Sequence, residues 1–410
     1  MSAALQRAET AVVAVALGLA VIATQAGGSA MAAVMGLLGA SAGTLHILRT
    51  RKTVVPAWLW ALLALAGWAA VSALWSPHPV PGGLALLWSP PALVLWGVVL
   101  YTLAARAIVS AGRRAPDRMQ AGALGVAGGV LLACAVNVAS DFAPVLPFHP
   151  LPPGGDPAVR HDDIARQVSR GVCVAVLLAA PVALGLRSWT GGRVAVAAAV
   201  VGAATLLACA VALRLWVAPL ALAVCAAAAL LAWRAPGAGL RAAFALAGAS
   251  VLLAPLLGWL SAATGDELKS ALPFSWEQRV EGWAYVWARI LDAPVAGHGF
   301  DAARSMTDTF TIRGFEWPYV ALHPHNAGLH IWVETGVIGA GLATLAVAMM
   351  GRRALAWAGV DRARSSALAG LVVAATVISA VSFGVWQEWW WASVFLAVAL
   401  LPLMLRDYEA

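Results

Sequence analysis

Two histidines flanking a proline open the most chemically capable stretch of the chain, His323-Pro324-His325-Asn326, and a second ionisable pair, His330 and Glu334, follows closely. A neutral imidazole accepts a proton near neutral pH, so His325 is a candidate general base, with His323 as its rival. Proline pushes the residue before it to extended backbone, and Asn326 is a good N-cap for a helix that starts behind it. On that helix His330 and Glu334 are four residues apart and share a face. The same residues also suit a capping histidine and a carboxylate that bonds a neighbouring helix. Spacing leaves both readings open.

Three arginines offer the complementary charge. Arg214 interrupts an apolar run in ACAVALRLWVAPLAL. A guanidinium there needs an anion, and its planar fork suits phosphate, unless it merely snorkels to the interface. Arg279 recurs with Trp283 and Trp287 every four residues, one face of an amphipathic helix that could lie on a membrane and hold a lipid phosphate. Arg170 heads an apolar run and forms, with Arg160 and Arg166, an outward basic cluster that suits an anionic ligand or simple anchoring. His323, His325 and Glu316 lack the spacing of a metal box, and no Gly-rich phosphate loop is present, so neither metal nor nucleotide is expected.

The elements that must position these residues are membrane helices. Of 410 residues, 62% are hydrophobic and 11% charged, against about 25% charged in soluble domains, and the mean hydropathy is +0.83. A span needs about 20 mostly apolar residues. Apolar runs predict about twelve: 10–26, 29–48, 55–75, 84–108, 119–139, 170–187, 194–213, 216–233, 242–262, 329–350, 366–386 and 390–405. The first is read as a span and not as a cleaved signal, because further spans follow directly. The expected class is all-α and polytopic, with residues 1–262 holding nine spans, 263–328 one large loop with short helices, and 329–410 the last three.

The formal charge of +7 is confined to short clusters between runs, including Arg49, Arg51 and Lys52, Arg113 and Arg114, and Arg352 and Arg353. By the positive-inside rule these loops and both termini face the cytoplasm. That reading accounts for the charge without nucleic acid. The segments 76–82, 140–169, the turn at Arg214, 263–328 and 387–391 then face outward, with Trp389, Trp390 and Trp391 as an interfacial aromatic belt. Pro152, Pro153, Gly154 and Gly155 mark a loop. The four cysteines lie in apolar runs without CxxC spacing and read as small core residues.

Four places resemble the bacterial O-antigen ligase and polymerase family. They are His325-Asn326 with Glu334, Gly336 and Gly339 at the helix after the large loop; RVEGWAYVWARILDAPVAGHGFDAAR with Arg279, Pro294, Gly297, Gly299 and Phe300; LRLWVAPLAL with Arg214, where Leu213 and Leu215 replace the usual small residues; and SRGVCVAVLLAAPV with Arg170. The resemblance spans roughly residues 160–345 and is most specific at the histidines. It implies a membrane glycosyltransferase of the GT-C-like type in the bacterial inner membrane, working on the periplasmic side. Such an enzyme transfers polysaccharide from undecaprenyl diphosphate to lipid A-core, with inversion, without metal or nucleotide. On this reading His325 is the base, and Arg214, Arg279, Arg170, His323, Asn326 and Glu334 bind substrate among membrane lipids. A polymerase, a protein O-oligosaccharyltransferase and, more remotely, a lipid-linked glycan transporter are the alternatives.

Overall fold

A computed structural model describes residues 2–26, 30–51, 55–78, 89–151 and 153–406. Lys52, Pro152, most of the expected 76–82 loop and the first residues of the expected 84–108 span lie outside them. The chain runs α1 (Ser2–Ala23), α2 (Ala30–Leu38), α3 (Thr44–Thr50), α4 (Ala57–Ser72), α5 (Pro90–Arg114), α6 (Pro116–Ala139), α7 (Pro157–Thr190), α8 (Gly192–Ala212), α9 (Val217–Arg234), α10 (Pro236–Leu252) and α11 (Ala254–Ala262). After these come α12 (Asp266–Ala271), α13 (Phe274–Asp292), the hairpin β1 (Thr309–Ile312) and β2 (Phe315–Pro318), α14 (Ala327–Ala358), α15 (Arg362–Val381) and α16 (Glu388–Met404).

The protein is an all-α polytopic membrane protein. Among the described residues nine helices are long and apolar enough to cross a membrane, ten with the bent pair α10–α11, and α4 and α16 are shorter apolar helices. The bend of 57° follows from Pro255, which lacks an N–H and crowds the carbonyl four residues back. That carbonyl, of Val251, accepts the Trp332 indole N–H at 2.9 Å. What reads as one straight span over 242–262 is therefore broken.

Three other expectations change. The segment 140–169 is helical from Pro157 onward, because Asp156 caps α7 by accepting the Ala158 N–H at 2.8 Å and Pro157 occupies its first turn. The extension is held down by Ile164 and Val168, both buried against Phe142. Trp389 and Trp390 form no belt. Trp390 is 0% exposed and its indole donates to Ser379 Oγ at 2.7 Å. Lastly, the Trp283 face of α13 packs on protein and not on lipid: Trp283 is buried in a cluster with Ala254 of α11 and Leu329 and Val333 of α14. The face that reads as lipid-facing is the one that docks on the protein.

The segment between α11 and α14 thus sits on the helix ends as a cap of α12, α13 and the hairpin. The antiparallel register pairs Phe310 with Trp317 and Ile312 with Phe315 on one side of the hairpin. That apolar side is glued down by stacking, Phe310 on Tyr319 and Tyr319 on Tyr285, each at 4.7 Å between ring centroids.

Candidate active site

The site is built on a helix that is broken in a controlled way. Within α14, Gly336 has φ 64 and ψ −164, so the helical ladder stops and restarts there. Backbone groups freed inside a membrane must find partners in the protein. The turn after α13 provides them: Pro294 O accepts the Val337 N–H at 2.9 Å, while His298 N–H and Gly299 N–H donate to the carbonyls of Val333 and Glu334 at 2.9 and 2.8 Å. The Thr335 carbonyl takes the Trp68 indole N–H at 2.9 Å. Gly297 and Gly299 have φ 70 and 98, and a Cβ on Gly297 would lie 2.3 Å from the Glu334 carbonyl carbon. The glycines of the PVAGHGF turn are needed for this contact.

Glu334 fastens the next layer. It is 0% exposed, and its Oε1 accepts from the Ala303 N–H and lies 3.0 Å from His330 Nε2, while its Oε2 accepts from the Asp301 N–H and the Trp386 indole. His330 Nδ1 accepts the Val385 N–H at 3.1 Å, so its proton is on Nε2 and donates to Glu334. One carboxylate therefore joins three segments: the 301–303 turn, the start of α14, and the connection from α15 to α16. Asn326 is likewise buried at 2% exposure, with its Oδ1 accepting the Leu329 N–H at 2.9 Å as the cap of α14. Direct substrate contact is expected of both residues from sequence. In the structure their oxygens are spent on the chain's own donors, which fixes the start of α14 and the turns around it. Glu334→Ala strands four N–H donors, three of them buried, and is expected to lower stability by more than about 4 kcal/mol, read as a lost or much earlier thermal transition in detergent.

The histidines stand at the mouth of this frame. His325 is held at φ 53, a left-handed conformation uncommon outside glycine that collects at functional sites. Its Nδ1 lies 2.9 Å from the Ser382 carbonyl. A carbonyl only accepts, so Nδ1 carries the proton and Nε2 the lone pair. Among the described residues Nε2 has no hydrogen-bond partner. Burial and then the Arg279 guanidinium hold this imidazole well below its ordinary range, at about 4. His323 has no such freedom: its Nδ1 accepts the His325 backbone N–H at 3.1 Å, and its Nε2 lies 3.0 Å from the side-chain amide of Gln387. With Nδ1 an acceptor, Nε2 bears the proton, and the Gln387 amide turned to present its oxygen completes the bond.

Arg279 donates from Nε to the Val381 carbonyl at 2.9 Å, so it and His325 hold consecutive carbonyls at the end of α15. Burial pushes its pKa down, against its charge. Arg170 lies 5.4 Å over the Trp389 ring, which packs on Phe383 beside Ser382. Arg214 is exposed on the turn from α8 to α9 at φ 51; its backbone N–H donates to the Val211 carbonyl at 3.1 Å, while its guanidinium has no hydrogen bond or ion pair among the described residues. The structure brings His323, His325 and Arg279 together, sets Arg170 over Trp389, whose ring meets Phe383 edge-to-face next to Ser382, and leaves the Arg214 side chain open on its turn. It adds Trp386 and Gln387, which sequence offers only as part of a tryptophan-rich loop, and Arg304, whose charge bears on His323.

Residues 189–344, which hold all of these groups except Arg170, Trp386 and Gln387, match the family model described as O-antigen ligase. Over that stretch the chain is similar to the O-antigen ligase family. It is similar to proteins named "Putative polysaccharide ligase" in three Rickettsia species. Identity is 29% over 128 residues in Rickettsia bellii, 23% over 129 in Rickettsia conorii and 26% over 132 in Rickettsia felis. Each match covers 30% of this chain and 31% of the relative. No solved structure matches the chain.

Proposed function

We propose that this protein is an O-antigen ligase of the bacterial inner membrane, transferring polysaccharide from undecaprenyl diphosphate to lipid A-core on the periplasmic side. The observation that carries the reading is His325 Nε2, a lone pair fixed outward by the Ser382 contact and set beside a half-buried arginine inside the ligase-family stretch. In this reading the acceptor hydroxyl gives its proton to Nε2 as its oxygen attacks the anomeric carbon. The bond from that carbon to the diphosphate oxygen breaks on the opposite face, its electrons leave with the diphosphate, and the configuration inverts. The Nδ1–H bond to Ser382 steadies the imidazolium that forms. Arg279, with Arg170 and Arg214 as further contacts, meets the charge developing on the leaving diphosphate. His323 acts through His325 by holding its backbone, and metal and nucleotide play no part.

The deciding experiment combines purified protein, undecaprenyl-diphosphate polysaccharide and lipid A-core in detergent, with no energy source. Polysaccharide appearing on lipid A-core supports ligation. Lengthening of a second undecaprenyl-linked chain in its place makes the protein a polymerase, and absence of transfer favours transport. Within that assay Arg279→Gln is expected to cut kcat/KM about 100-fold, the scale of one lost charge-stabilising contact. Removing the cation also takes away one cause of His325's low pKa, so the acid limb of the variant's pH profile moves up.

A further inference from the structure

The connection from α15 to α16, residues 382–387, meets one ring nitrogen of each of the three histidines in the site. The Ser382 carbonyl can only accept, so it fixes the proton on His325 Nδ1. The Val385 N–H can only donate, so it fixes the lone pair on His330 Nδ1. Gln387 faces the third ring, with its side-chain amide 3.0 Å from His323 Nε2. Gly384 lets the chain pass this close: a Cβ there would lie 2.8 Å from His323 Cγ and 3.0 Å from His330 Nδ1.

Two of these contacts are made by main chain, which substitution leaves in place. Gln387 supplies the third from its side chain, and among the described residues His323 is that side chain's one polar tie. The far end of the amide is buried and meets no hydrogen-bond partner there.

What the tie does follows from counting protons and lone pairs. His323 Nδ1 accepts the His325 backbone N–H at 3.1 Å, which requires Nδ1 to be unprotonated. A neutral imidazole carries one proton, so that proton is on Nε2 and needs an acceptor. The Gln387 oxygen, with the amide turned to present it, is that acceptor. Were the proton on Nδ1, two N–H groups would face each other, and the His325 backbone, held at φ 53, would lose the bond that meets it. We propose that Gln387 is a positioning residue for the base. By keeping the His323 proton on Nε2 it keeps Nδ1 open to the His325 N–H, and so holds the His325 imidazole where its free Nε2 is presented. It acts through His323 and touches no substrate.

This inference rests on the reading of His325 as the base, and the two fail in different measurements. In the transfer assay Gln387→Met, which keeps the side chain's length and loses its oxygen, is expected to lower kcat about tenfold, the effect of one stranded buried donor. The KM values for donor and acceptor stay within about twofold. His323→Asn sets a fixed amide oxygen in the place of Nδ1 and has no tautomer to hold. On that background Gln387→Met is expected to change kcat by less than about twofold, because a residue that acts through His323 has nothing left to act on. Equal losses on the two backgrounds, a raised KM, or an unchanged kcat in Gln387→Met overturns the inference. A long-range proton–nitrogen spectrum of protein isotope-labelled at histidine tests the tautomer without turnover and without the methionine variant. The His323 signals, identified by their absence from His323→Asn, are expected in the Nε2-protonated pattern, and the Nδ1-protonated pattern overturns the inference. A wild-type protein that transfers nothing to lipid A-core sinks the ligase reading, and the spectrum still decides the His323 proton.

Discussion

His325→Ala and His325→Asn are expected to reduce transfer about 10²- to 10⁴-fold, the range of a lost general base, with the protein still folded and donor binding retained. His325 contributes one hydrogen bond to the frame, to Ser382, and its backbone N–H still reaches His323 after substitution. His323→Ala is expected to act differently. It removes the acceptor that fixes His325's strained backbone, so it lowers kcat and stability together. Equal loss in both variants without a change in thermal transition would reverse the assignment of base and support.

The pH profile gives an independent check. An ordinary histidine near 6.5 would lose about nine-tenths of its neutral form by about pH 5.5. Burial and Arg279 hold His325 at about 4, so its folded pKa lies below its unfolded value. The neutral form then persists through that window, and kcat/KM, which reports the free enzyme, stays flat from about pH 7.5 to 5.5. The stability sign runs the same way. The unfolded chain binds the extra proton between the two values, so this histidine's contribution is present above about 6.5 and is lost as pH falls towards 4. Once a diphosphate neutralises Arg279, the second depressing cause weakens. The acid limb of kcat should therefore lie above that of kcat/KM, and coincident limbs would count against a diphosphate seated at Arg279.

The sequence carries the parts of this site that are local. His325, Asn326 and the helix behind them are legible because a proline, a cap and an apolar run are consecutive, and the cap forms as expected. Arg279 is legible as a helical repeat with Trp283, but periodicity shows only that a face exists, not what covers it, and tertiary packing turned that face inward. The extension of α7 was readable from Asp156 and Pro157, a cap followed by a first-turn proline, yet the proline and glycine cluster before it suggests loop. Arg304, Trp386 and Gln387 were beyond reach for a different reason. Each acquires meaning from a residue tens of positions away, and no spacing rule connects Trp386 to Glu334 or Gln387 to His323.

Gly336→Ala should be at least as damaging as loss of the base, although it is remote from any proton transfer. At φ 64 and ψ −164 the backbone occupies a region essentially confined to glycine, which costs other residues about 1–3 kcal/mol. Space is a second obstacle: an added Cβ would lie 2.2 Å from the Val295 carbonyl oxygen and 2.3 Å from its carbon, backbone atoms that cannot swing aside. Relief requires the 294–299 turn to withdraw from α14. Withdrawal strips the partners from Val337 N–H and the carbonyls of Val333 and Glu334 inside the membrane, each a loss of several kcal/mol there. It also carries the 301–303 turn away from the Glu334 carboxylate. The expected result is a protein that fails to accumulate, or accumulates with a collapsed thermal transition and no transfer. Gly341→Ala is the matched control, since a Cβ there meets nothing within 4 Å and the residue is helical; it should fold and transfer as the parent does. A stable, active Gly336→Ala protein would mean that α14 can run unbroken through this point, and that the PVAGHGF turn does not aim the site.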